Sequence, residues 1–143
     1  MRLRWTEWMK LSSYVKQNVG QHEYDMHKYV YDLHIVNIPK IVSYDKNTQR
    51  LTMQRIPSCS ISDYYGESAE TISPRVFKKI QHIIKQLLDY GIEYPDITGY
   101  NFIEHRSKMW IIDFEHATKN TNITNPFIHK FINGFNEWND EFN

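Results

Sequence analysis

Apolar residues in this chain recur at two different spacings, and the switching between them lays out the elements. The clearest stretch is helical. Ser73 and Pro74 read as an N-cap and a first helical residue. Phe77, Ile80, Ile84, Leu87 and Leu88 then make a stripe of helical period, until Gly91 offers a left-handed stop. A weaker stripe of Met26, Val30 and Leu33 places a helix over residues 21–34, with Glu23 one turn earlier on the same side. Pro39 ends that pattern. A third stripe, Phe127, Ile128, Phe131, Ile132, Phe135 and Trp138, follows the cap Asn125-Pro126 and predicts a closing helix over 126–138 that Gly134 bends.

Shorter alternating or β-branched runs predict strands at 2–8 and 11–17, the latter ending at the turn-prone Asn18 and Gly20. Residues 41–44 and 50–54 read as an antiparallel pair joined through Asp45-Lys46-Asn47. Residues 101–103 and 109–112 read as a second hairpin across the polar turn 105–108, and 57–72 is a polar stretch without a period. No internal repeat interrupts the series. The fold class is α+β: a small antiparallel sheet, a long helix, a polar hairpin and a closing helix.

Composition changes this picture little. The 143 residues suit one domain with its own core. Lys and Arg total 17 against 17 Asp and Glu, so charge gives no reason to expect a nucleic-acid or acidic-membrane partner. No apolar run approaches the roughly 20 residues that span a bilayer, and the first twenty residues do not resemble a secretory signal. Cys59 is the only cysteine, which excludes an internal disulfide and favours a reducing, cytoplasmic compartment. Two alanines against 17 isoleucines and 11 asparagines point to an AT-biased genome; were it viral, the compartment would be a host cell.

The candidate chemistry lies in the 18 residues from Asp96 to Asp113. The hairpin that starts at Asn101 returns to Asp113, so the Asn101 amide oxygen and the Asp113 carboxylate can share one end of the ribbon. Hard oxygen donors of this kind suit Mg²⁺, which keeps water and phosphate for its other positions. Asp96, five residues before Asn101, could accept a hydroxyl proton beside that ion. Such a set suits phosphoryl transfer, where catalysis is mostly positioning and charge neutralisation. The competing reading is turn chemistry, because Asp and Asn also cap turns through local backbone bonds. The seven histidines and Cys59 lack metal-ligand spacing.

These residues resemble a family. Asp96-x-x-x-x-Asn101 matches the catalytic-loop spacing of the protein-kinase-like superfamily, and Asp113-Phe114-Glu115 occupies the place of its D-F-G. The chain is nearest in texture to small atypical members: RIO kinases, the KEOPS-complex kinase, and choline or aminoglycoside kinases. Glu23-Tyr24 with Leu33, Ile38-Pro39 and Ile41 is similar to the C helix and fourth strand of RIO-like proteins, and 51–57 to the fifth strand and hinge.

The resemblance implies one minimal kinase-like domain over 1–143, with 1–56 a reduced N-lobe and hinge and 57–143 a reduced C-lobe. It implies Asp96 as catalytic base and Asn101 and Asp113 as Mg²⁺ ligands. Glu23 would pair with a strand lysine, for which Lys16 is the candidate; Met53 would be the gatekeeper, and the backbone of Gln54 and Ile56 would face the adenine of ATP. Lys16 read by itself is equally a solvated strand lysine, and Glu23 equally a helix residue favoured by the macrodipole. Glu115 reads as a solvated loop residue or a third metal-facing carboxylate.

Departures from the pattern are plain. Tyr94-Pro95 stand where His-Arg is usual, Thr98 stands where a lysine is usual, no glycine precedes Gly20, and Lys16 and Glu23 lie only seven residues apart. The glycine-rich loop and most of the C-lobe are missing. The implied function is an ATP·Mg²⁺-dependent phosphotransferase acting on a protein Ser/Thr hydroxyl. The alternative is a pseudokinase that binds nucleotide or a protein partner. The 127–138 stripe reads as core, or else as a surface for a second copy of the chain.

Overall fold

The computed structural model describes residues 13–120 and 122–142. The strand expected at 2–8 lies outside them. Three strands form the first sheet: β1 (Ser13–Lys16), β2 (Ile41–Asp45) and β3 (Arg50–Gln54), in the order β1-β3-β2 and antiparallel throughout. Alternation along β3 explains its central place, since Leu51 and Met53 turn inward and are buried while their neighbours face out. With Val19 they make a small core, closed by Tyr24, Ile41 and Tyr44. Tyr24 stacks on Tyr44 at 4.3 Å, tying helix to sheet.

Helix α1 (Gln21–Leu33) follows β1 directly. It ends at His34, which takes the left-handed conformation with φ 53°. Met26 and Val30 face inward with Glu23 and His27, so the buried face is half polar. That composition marks a helix which serves a site as well as a core.

The larger core is built on α3 (Pro74–Asp89). Ser73 caps it by accepting the Val76 N–H, and Gly91 stands just beyond it with φ +71°. The polar stretch before it holds a short helix, α2 (Ile61–Tyr65), capped by Ser60, and a 3₁₀ turn at Ala69–Thr71 capped by Ser68. Neither has a long enough stripe to show in the sequence, but serine caps announce both.

After α3 the chain forms β4 (Ile92–Glu93), a 3₁₀ turn at Gly99–Asn101, and the hairpin of β5 (Phe102–His105) and β6 (Lys108–Ile111). Asn101 therefore sits in the turn before the strand, one residue earlier than the hairpin proper. Arg106 and Ser107 both have positive φ, as a two-residue hairpin turn demands. Lys79 Nζ donates to the Ser107 carbonyl at 2.6 Å and steadies that turn. Strand β7 (Thr118–Lys119) pairs with β4.

The closing helix is a correction. α4 runs over Pro126–Ile132 only, not to 138. Asn133 ends it and Gly134, at φ +103°, turns the chain away. Ile128 and Phe131 are buried against α3, with Phe77 and Phe131 rings 5.0 Å apart, while Phe135 is exposed. Among the described residues no helix is long and apolar enough to cross a membrane.

Candidate active site

Lys16 ends β1, and Glu23 lies in the first turn of α1, with Gly20 between them in extended backbone. The short connection is enough. Lys16 Nζ donates to Glu23 Oε2 at 2.6 Å and lies 3.5 Å from Asp113 Oδ1. Glu115 brings a third carboxylate: ligand oxygens of Glu23, Asp113 and Glu115 lie within 4.8 Å of one another. Glu115 is solvent-exposed, yet it belongs to this cluster.

The electrostatics follow from one ammonium serving several acids. Burial works against the Lys16 charge, but the bond to Glu23 and the charge of Asp113 outweigh it and hold its pKa above the ordinary lysine value. Burial raises the Glu23 carboxyl, and Asp113 and Glu115 push the same way against the bond from Lys16. Both partners thus shift upward, Glu23 chiefly because it is buried and Lys16 because carboxylates hold its charge.

A second group of bonds sets the loop below. Tyr94, fully buried, directs its hydroxyl at the carbonyls of Ile112 and Asp113, at 2.6 and 2.7 Å. Burial, with the nearby charges of Asp113 and Asp96, holds the Tyr94 phenol well above its usual pKa, so it stays a donor. The backbone it anchors is unusual, because Asp113 takes φ +66°. Asp113 Oδ1 accepts the Glu115 N–H at 3.2 Å. Asn101 is buried; its Nδ2 donates to the Asp96 carbonyl at 2.9 Å, and its own carbonyl accepts the Ile112 N–H at 3.0 Å. The two halves of the motif are thus bonded to each other. Burial raises the Asp96 carboxyl; the Asn101 side chain opposes this, and Asp113 and Glu115 reinforce it.

A cavity of about 630 Å³ opens between β1, β3 and the hairpin. Its lining includes Lys16, Glu23, Met53, Gln54, Ile56, Asn101 and Asp113, seven of the eight residues singled out in the sequence. Asp96 is not part of the lining and joins it through Asn101. The lining combines the acidic Glu23 and Asp113 with the apolar Met53, Ile56, Ile103 and Ile112. Beside the cavity, the Gln54 N–H donates to the Lys40 carbonyl at 2.8 Å and the Ile56 carbonyl accepts the Ser58 N–H at 2.8 Å. His27, also lining the cavity, is buried, which lowers its pKa; it bonds the Pro39 carbonyl at 2.7 Å.

Two contributors escaped the sequence reading. Tyr94 enters the sequence pattern only as a departure from His-Arg, and its bond to distant carbonyls has no local signature. His27 lies on the buried side of α1 beside Met26, and nothing in its spacing separates it from the other histidines.

A hard divalent cation fits the donor set: every ligand is oxygen, and acidic charge is in excess.

No family model matches the chain, and no curated protein matches it in sequence. The fold nonetheless has solved relatives, and it is protein-kinase-like. The kinase PK-1 of Cydia pomonella granulovirus is similar with a TM-score of 0.50 at 14% identity, over 75% of this chain and 43% of the viral one. The chain thus spans less than half the length of that kinase, and at this identity the likeness is one of fold. It does not single out RIO, KEOPS-complex or choline kinases.

Proposed function

We propose that the chain carries an ATP·Mg²⁺-dependent phosphotransferase site, with a protein Ser/Thr hydroxyl as acceptor. The supporting observation is the single cavity that joins apolar, hinge-bordering residues to Lys16, Glu23, Asn101 and Asp113. In this reading the base lies against Met53 and meets the Ile56 N–H. Lys16, aimed by Glu23, contacts the phosphates. Asn101 and Asp113 hold Mg²⁺, with Glu115 near enough to assist. The ion, when bound, neutralises charge on the phosphates. Asp96, its carboxyl raised by burial, takes the proton of the acceptor hydroxyl as the oxygen–phosphorus bond forms and the bond to ADP breaks. Residues 1–56 would act as a reduced N-lobe and hinge and 57–143 as a reduced C-lobe.

Incubation with labelled ATP, Mg²⁺ and a generic protein acceptor tests this. Transfer should fall roughly 100- to 1,000-fold in Asp113→Ala, the scale of losing one preorganised electrostatic group; transfer that survives the change refutes the assignment.

A second reading is a nucleotide-binding pseudokinase, favoured by Thr98 in place of a phosphate-contacting lysine. Thermal stabilisation by ATP·Mg²⁺, about 2.7 kcal/mol at 100 times the dissociation constant, without turnover would select it.

A further inference from the structure

The segment after α4 comes back to the loop that carries Asp96. Trp138 packs beside Phe77 and Phe131, with ring centroids 6.3 and 6.5 Å away. It also closes over Gly99, where an added Cβ would lie 3.1 Å from Trp138 Cζ2 and would run into Ser62 Oγ. The next residue, Asn139, is 6% exposed, which is rare for a side chain so near a surface tail. It bonds the loop twice. Its Nδ2 donates to the Pro95 carbonyl at 2.7 Å, and its backbone N–H donates to the Ile97 carbonyl at 2.9 Å. Those two carbonyls stand on either side of Asp96. Asn139 Oδ1 is used as well, accepting the Glu141 N–H at 3.2 Å, and Phe142 stacks on His116 at 4.1 Å.

The loop has few other means of holding its shape. Within residues 95–98 the backbone makes only the tight contacts from Ile97 N–H to the Pro95 carbonyl, 2.8 Å, and from Thr98 N–H to the Asp96 carbonyl, 3.1 Å. Asn101 fixes the Asp96 carbonyl itself. Of the flanking carbonyls, that of Pro95 accepts the Ile97 N–H and a second bond from Asn139 Nδ2, 44 residues away, while that of Ile97 takes its bond from the Asn139 N–H.

We propose that Asn139 is a positioning residue: the returning tail holds the backbone on both sides of Asp96 and so aims that carboxylate at the acceptor. The catalytic consequence rests on the phosphotransfer reading; the structural one rests on the bonds alone.

Two variants test it. Asn139→Ala removes the side-chain bonds. Asn139→Asp keeps the shape and the oxygen acceptor but turns an oxygen toward the Pro95 carbonyl. Both should lower kcat by about 100-fold, the scale of a misplaced reacting group, while KM for ATP·Mg²⁺ stays within about twofold. Amide hydrogen exchange at Ile97 and Thr98 should quicken at least about tenfold, with the amides of α3 unchanged. An unchanged kcat or unchanged loop exchange overturns the proposal, as does exchange that quickens equally throughout α3, the mark of general destabilisation. A wild-type chain that transfers no phosphate removes the phosphotransfer reading, and loop exchange then decides the dependence on Asn139 by itself.

Discussion

The two cores of this molecule are built differently. Around α3 the apolar groups of all four helices, the hairpin and the loop before it interlock, with Ile80, Ile84, Leu87, Phe102, Phe114 and Phe131 all but removed from water. Under the first sheet, among the described residues, the buried cluster holds only Val19, Leu51 and Met53, closed by Tyr24, Ile41 and Tyr44. The sheet meets the rest of the molecule through the stack of Tyr24 on Tyr44 and through the ion pairs of Lys16 with Glu23 and Asp113. Rigid groups and ion pairs meet at the cavity between them. A cavity at such a seam has one wall backed by a large apolar core and one backed by a small core, which shifts at lower cost.

The comparison can be broken from the strong side first. Phe131→Ala should cost about 3–5 kcal/mol and lower the unfolding transition of the whole chain, read by chemical denaturation. Leu51→Ala should cost about 2–3 kcal/mol, near the low end for a leucine, and hydrogen exchange should show β1, β2 and β3 loosening while α3 keeps its protection. Equal loosening of α3 would show that the two cores unfold as one. Lys16→Met leaves the apolar stem in place but removes the cation, so buried Glu23 loses its partner and some stability is lost along with ligand affinity. A loss of roughly 10- to 100-fold in ATP·Mg²⁺ affinity, the scale of one charged hydrogen bond, is the expected result by calorimetric titration.

The smallest effect is a pH slope. Glu23 has a folded pKa raised above its ordinary 4.5, so the folded state binds the proton more tightly than the unfolded chain does. Its contribution to stability is complete below pH 4.5 and declines as pH rises through the raised value. Lys16 acts in another window, since its raised pKa lends stability that is lost only above about 10.5. Glu23→Gln should flatten the acidic slope and weaken the alkaline one with it, because Glu23 is the chief group that raises Lys16; denaturation midpoints across pH would show both.

The elements that were legible in the sequence are those whose cause lies within a turn of the chain. Ser73, Pro74, the stripe from Phe77 to Leu88 and Gly91 act through neighbours three or four residues away. The hairpin and the Asp96, Asn101 and Asp113 spacing are equally short-range, and the cavity brings Asn101 and Asp113 together with Lys16 and Glu23. The stripe from Phe127 to Trp138 misled because apolar residues spaced for a helix also serve a chain that turns and packs: Trp138 meets Phe77 and Phe131 from an extended segment past Gly134.

Sequence alone therefore determined the order of the elements, the capped long helix and the motif residues, since local backbone preference and side-chain period act without knowledge of the rest of the chain. Only the tertiary structure decided which carbonyls Tyr94 and Asn139 would bind, that Glu115 would join Glu23 and Asp113, and how β4 would find β7. A hydrogen bond to a distant backbone carbonyl leaves no residue-type signature at its acceptor, because every peptide group offers the same oxygen.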